Sequence, residues 1–175
     1  PVSSHWWWTV TRADAQDSLP TRLDWDPSSA RGRGGGLSVR IGLGEEGPID
    51  LDLVADGPHA LVAGCTGSGK SEALLGWLAA IAHCYSPEQV RFILIDYKGG
   101  ATFARLEALP HTQALLTDLD AGATTRALDG IASILQRREE ALGALGFPDL
   151  ATWESAHEED PLSVTAPPPR LVVAI

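Results

Sequence analysis

Residues 64–71 read Gly-Cys-Thr-Gly-Ser-Gly-Lys-Ser, with a short apolar run, His59 to Ala63, before them and a nearly uncharged helical segment, Ser71 to Tyr85, after them. The spacing G-x-x-x-x-G-K-S between a strand and a helix is the context in which a chain wraps a phosphate group. Glycines at 64, 67 and 69 let backbone N–H groups turn inward, and the following helix presents its positive end. Lys70 is then placed to bridge β- and γ-phosphate oxygens, and the Ser71 hydroxyl to reach a magnesium ion. A glycine-rich turn with an incidental lysine would instead leave an ammonium group buried without a partner. The expected ligand is a nucleoside triphosphate, ATP with magnesium, held by Gly64, Cys65, Thr66, Gly67, Ser68, Gly69, Lys70 and Ser71.

The rest of the chain supplies a parallel α/β framework for that loop. Leu37 to Leu43 and Ile49 to Val54 alternate apolar and polar residues around Gly44-Glu45-Glu46-Gly47, a β-hairpin pattern. Arg91 to Ile95 and Gln113 to Thr117 read as core strands, the first a continuous apolar run suited to cover on both faces. Thr102 to Leu109 suits a short helix. Ala121 to Leu145 has helical spacing of Leu128, Ile131, Ile134, Leu135 and Leu142, and its Arg137-Arg138-Glu139-Glu140 run reads as a solvated face. Gly146-Phe147-Pro148 breaks that helix, Asp149 can cap the next, and Leu171 to Ile175 reads as a buried strand. The segment from Ser71 to Tyr85 is expected to be buried on most sides. Strands alternating with helices imply a mostly parallel sheet.

Three parts are expected: a Trp-rich arm at 1–27, a Gly/Arg linker at 28–36, and an ATPase domain at 37–175. The arm carries Trp6-Trp7-Trp8, costly to leave in water, so it is expected to cover this domain's own core or to meet a partner. The chain starts at Pro1, has no methionine and stops inside an apolar run, so we expect an internal, C-terminally truncated piece of a larger protein.

The net charge of −10 weighs against nucleic acid and acidic membranes as partners, since the summed field repels both. Two cysteines, one inside the loop, argue against a disulfide framework. No apolar run approaches the roughly 20 residues that cross a bilayer as a helix. His5, His59, His83 and His157 have no metal-like spacing with the cysteines.

Hydrolysis also needs a carboxylate near the metal and a group that positions water. Asp96, at the end of Phe92-Ile93-Leu94-Ile95, meets the first requirement, although Tyr97 follows where a second carboxylate would help. The residues beyond Ile175 are the other place to look. With Lys70, Asp96 is the candidate catalytic residue.

The phosphate loop, Phe92-Ile-Leu-Ile-Asp-Tyr-Lys-Gly-Gly100, Leu109-Pro-His111 and Arg170-Leu-Val-Val-Ala-Ile175 together resemble the FtsK/SpoIIIE family of ring translocases. Glu72, Ser86-Pro-Glu88 and Gly99-Gly-Ala-Thr-Phe103 are similar to the EccC-type ATPases of type VII secretion. The resemblance implies a RecA-like P-loop NTPase core, Glu72 as part of the nucleotide-binding stretch, and assembly into a ring, expected to be a hexamer. It implies a motor that moves a polymer, with small helical secretion substrates as partners, at the cytoplasmic side of the bacterial membrane. The membrane would be reached only through other parts of a membrane-anchored parent. It also implies an Asp-Glu pair just beyond Ile175, with Asp96 as a neighbouring carboxylate. A double-stranded DNA pump and a nucleotide-sensing module that does not hydrolyse ATP are the alternatives. Lys98 and His111 fall near strand ends, and Arg91, Arg105, Arg126 and Arg170 are candidates to reach across a subunit boundary.

Overall fold

The computed structural model describes residues 30, 36–97, 102–117 and 120–175. The Trp-rich arm, almost all of the linker, Lys98 and the Gly99-Gly100-Ala101 stretch lie outside the described residues.

Strands β1 (Ser38–Gly44) and β2 (Gly47–Asp52) form the expected antiparallel hairpin, with an irregularity between Arg40 and Gly42. Asp52 fixes the end of the hairpin. Its Oδ1 accepts from the backbone N–H groups of Leu37, Val54 and Ala55 at 3.2, 2.8 and 3.1 Å. The Asp52 N–H in turn donates to Asp56 Oδ2 at 2.8 Å.

The main sheet has three parallel strands in the order β4 (Thr112–Thr117), β3 (Val90–Asp96), β5 (Arg170–Ala174). β3 is central, and its residues 92 to 96 are all buried. A strand paired on both edges and covered on its faces has no use for alternation, which is why this stretch is continuously apolar. Helix α1 (Lys70–Cys84) packs against β1 and joins the core through Leu78 and Ile81. Phe92, Leu94, Val90, Phe103 and Val39 complete that core. Removing each from water contributes about 1.5–3 kcal/mol.

Helix α2 (Ala121–Leu145) matches its sequence boundaries. Asp120 caps the start by accepting from Ala123 N, and Gly146 ends it in the left-handed conformation at φ 76°. Helix α3 (Leu150–Glu159) is capped as expected by Asp149, which accepts from Thr152 N at 2.7 Å. The expected helix after Thr102 is reduced to a 3-10 turn at Ala104–Leu106.

Four expectations are corrected. Leu171 to Ile175 is not a buried strand: β5 ends at Ala174, the only one of its residues that is buried, and Val173 and Ile175 are 37% and 71% exposed, because no strand lies on that side of β5 among the described residues. His59 to Ala63 is not a strand: no ladder partner lies beside it among the described residues, and Leu61 is 92% exposed. α1 is buried on one face only, at Leu78, Ala80 and Ile81, while Glu72, Ala73, Gly76 and Ala79 are exposed. The run Arg137 to Glu140 is not wholly a solvated face, because Arg138 is half-buried and donates to the Pro169 carbonyl at 2.7 Å. Desolvation lowers its pKa from the ordinary arginine value.

Candidate functional site: the phosphate loop and its surroundings

Gly69 closes the loop and opens α1. It sits at φ 86°, the left-handed region where a side chain is strained, and its carbonyl already accepts from Ala73 N at 2.8 Å. Gly64 is required for a different reason: a Cβ there would lie 2.6 Å from Ser68 Oγ and 3.2 Å from Lys70 Cγ. The loop folds back on itself through Ser68 N donating to the Cys65 carbonyl at 3.1 Å. Lys70 Nζ donates to the same carbonyl at 2.7 Å, so the ammonium rests across the loop. Gly64 to Gly69 and Ser71 are exposed, and Lys70 is half-buried. The loop is therefore open to a ligand, with one cation at its centre and the first N–H groups of α1 behind it.

Lys70 and Ser71 line a cavity of about 790 Å³ whose walls also include Asp96, Thr102 and Phe103. Asp96 ends β3, is 6% exposed, and accepts from Thr102 N through Oδ2 at 2.9 Å. The structure thus brings three sequence-identified residues, Lys70, Ser71 and Asp96, to one cavity. Thr102 entered the sequence analysis only as the start of a short helix and within Gly99-Gly-Ala-Thr-Phe103; its contact with Asp96, six residues upstream, was not among the expectations.

A magnesium ion requires hard oxygen donors, and it is usually held by one or two carboxylates or hydroxyls together with phosphate oxygens. The Ser71 hydroxyl and the Asp96 carboxylate on one cavity are donors of that kind. Among the described residues there is no cluster of three or more His, Cys, Asp or Glu side chains able to hold a metal unaided. The residues present fit an ion that arrives with a nucleotide.

Glu72, next to Ser71 on α1, lies 3.7 Å from Arg105, with both side chains more than 70% exposed. Such a pair contributes little. Arg170 is engaged with Glu154 at 2.5 Å, and Arg91 donates to the Pro110 carbonyl at 2.6 Å. Arg170 is the first residue of β5 and Arg91 the second of β3, at the end of the sheet opposite Asp96. His111 is a buried structural residue. Its Nε2 meets the Tyr85 carbonyl at 2.8 Å, and its ring stacks on Phe92 with centroids 5.8 Å apart. Cys65 and Cys84 are free thiols.

A glycine loop at the start of a helix, a lysine across it and a parallel sheet ending in a carboxylate define an α/β protein of the P-loop nucleotide-binding class. The chain belongs to the FtsK/SpoIIIE family, whose sequence model matches residues 29–169. It is 38% identical over 160 residues to the ESX secretion system protein EccC of Thermomonospora curvata, covering 86% of this chain and 12% of that protein. The solved cytoplasmic domain of the Thermomonospora curvata type VII secretion ATPase EccC superposes with a TM-score of 0.72 at 36% identity. That match covers 86% of this chain and 19% of the solved one. ATPases 2 and 3 of Thermomonospora curvata EccC in complex with a signal sequence peptide match with a TM-score of 0.67 at 29% identity, over 85% of this chain and 29% of that one. The chain spans about an eighth of the length of the curated relative, 12%. Among the described residues, no helix is long and apolar enough to cross a membrane.

Proposed function

We propose that this chain is the ATP-binding motor module of a ring-forming type VII secretion ATPase. The observation that carries the proposal is Lys70, Ser71 and Asp96 on one cavity at the open phosphate loop. The similarity to EccC gives that cavity its context. Lys70 leaves the Cys65 carbonyl for the β- and γ-phosphates, and the loop N–H groups hold the phosphate oxygens. The Ser71 hydroxyl would hold the magnesium that comes with the nucleotide, and the ion would supply neutralisation of charge on the transferring phosphoryl group. Asp96, held by Thr102 N–H, faces this site as a neighbouring carboxylate, and Glu72 flanks it. An Asp-Glu pair following the β5 strand completes hydrolysis in the whole protein.

In this reading the module works in a ring, a hexamer, on the cytoplasmic side of a bacterial membrane, attached to it through other parts of the parent. Its substrates are small helical secreted proteins. The EccC structure with a signal sequence peptide supports that partner class by analogy.

The test is ATP turnover by the full-length protein, alone, with helical secretion substrates, and with double-stranded DNA. Turnover raised by the protein substrate and lost in Lys70→Ala is the expected result. Unchanged turnover in Lys70→Ala overturns the proposal. Stimulation by DNA alone would assign a DNA pump instead, and tight ATP binding without turnover a sensing module.

A further inference from the structure

Ala30 precedes the hairpin, and one bond fixes its place: its carbonyl accepts the Arg40 N–H at 2.7 Å, and the residue is 3% exposed. Arg40 belongs to β1 and pairs with Asp50 of β2 on one side. Its N–H, taken by Ala30, therefore points to the other side, the outer edge of β1. The chain upstream of Ala30 is thus delivered to a strand edge.

The direction of that chain follows from the connection. Only residues 31–37 separate Ala30 from Ser38, the start of β1, whereas a parallel return takes about a dozen residues or more. A chain that reaches Ala30 antiparallel to β1 comes from the Gly44–Gly47 end of the hairpin. That end is where the hairpin leaves the core: Leu37 and Val39 are buried, but Ile41, Leu43, Pro48 and Ile49 are exposed. A two-stranded hairpin is marginal in water and gains from a third strand. Residues 23–29 read Leu-Asp-Trp-Asp-Pro-Ser-Ser, an alternation that suits a strand with Leu23 and Trp25 on one face and Asp24 and Asp26 on the other. Pro27 has no N–H to give, which an edge strand tolerates. Fully extended, the five residues from Ala30 back to Trp25 span about 17 Å, against about 13 Å for the four from Arg40 to Gly44. Trp25 can reach the tip.

We propose that the exposed end of the hairpin is the docking surface of this chain's own residues 23–29, which add to the outer edge of β1 and seat Trp25 among Ile41, Leu43 and Ile49. The docked segment ties the chain ahead of it to the helix of the phosphate loop, because α1 packs against β1.

Photo-crosslinking in the full-length protein tests it, with benzoylphenylalanine placed at the exposed position of Leu43. Peptide mapping should find the adduct within residues 23–29 of the same chain. An adduct on a second copy or on any other segment overturns the proposal, as does no adduct. Hydrogen exchange gives an independent reading: in Trp25→Ala the amides of residues 38–50 should exchange about tenfold faster, with those of α3 unchanged. Exchange equal to wild type at residues 38–50 overturns the docking. The cross-link leaves Trp25 in place, and it decides alone if that variant does not fold.

Discussion

The Tyr85 hydroxyl donates to the Ser38 backbone carbonyl at 3.1 Å, across 47 residues of chain. Tyr85 follows the last turn of α1, and Ser38 begins β1, so this bond joins the helix of the phosphate loop to the hairpin. The Tyr85 carbonyl meanwhile receives His111 Nε2–H, which ties the same point to the start of β4. Tyr85→Phe should lower stability by about 1 kcal/mol, the usual net worth of one hydrogen bond, with no change in fold. Urea unfolding followed by circular dichroism measures it; a midpoint equal to wild type would show the bond contributes nothing.

Asp52 should be more sensitive. Asp52→Ala strands three N–H donors at Leu37, Val54 and Ala55 and should cost about 3 kcal/mol. Asp52→Asn keeps an acceptor oxygen and should lose less. The ranking of the two variants by thermal unfolding decides whether acceptance or charge matters at this position.

Lys70→Ala removes the cation at the centre of the loop while leaving the backbone cradle in place. Turnover should fall by about a hundredfold or more, on the scale of losing one preorganised charge-stabilising donor. Far-ultraviolet circular dichroism should be unchanged, since the Lys70 ammonium contacts only a loop carbonyl among the described residues.

The cap of α3 gives a dependence on pH. Hydrogen bonding from Thr152 backbone N–H holds the Asp149 carboxyl below its ordinary value. A depressed carboxyl stabilises the fold at pH above its unfolded value, and that stabilisation is lost as pH falls through its folded value. Asp149→Ala should therefore be less stable than wild type near neutrality, and the gap should close in acid. A gap that stays constant from neutral to acid pH would contradict the cap's ionic character.

The phosphate loop was legible because its chemistry is local: eight residues carry both the turn and the ligand groups. α2 was legible to the residue for a similar reason, with Asp120 and Gly146 marking its ends. Asp96 could be placed at a strand end because an apolar run stops there. His59 to Ala63 was misread because an apolar run becomes a strand only when a neighbour completes its ladder, and pairing is not a local property. Arg138 was misread because its acceptor, the Pro169 carbonyl, lies 31 residues away. Asp52 and Thr102 drew no individual reading, since the first donor to Asp52 lies 15 residues upstream and the Thr102 N–H meets Asp96 across six residues.

The outer side of β5 has no neighbouring strand among the described residues, and Val173 and Ile175 are 37% and 71% exposed. Unsatisfied backbone groups beside apolar side chains are adhesive, and they recruit whatever extended chain comes near. Purified as these 175 residues, the protein should self-associate as its concentration rises, through an edge that behaves as a template. Val173 and Ile175 also line the phosphate-loop cavity, so the edge that governs solubility adjoins the ligand, and a charged substitution at Val173 changes both at once.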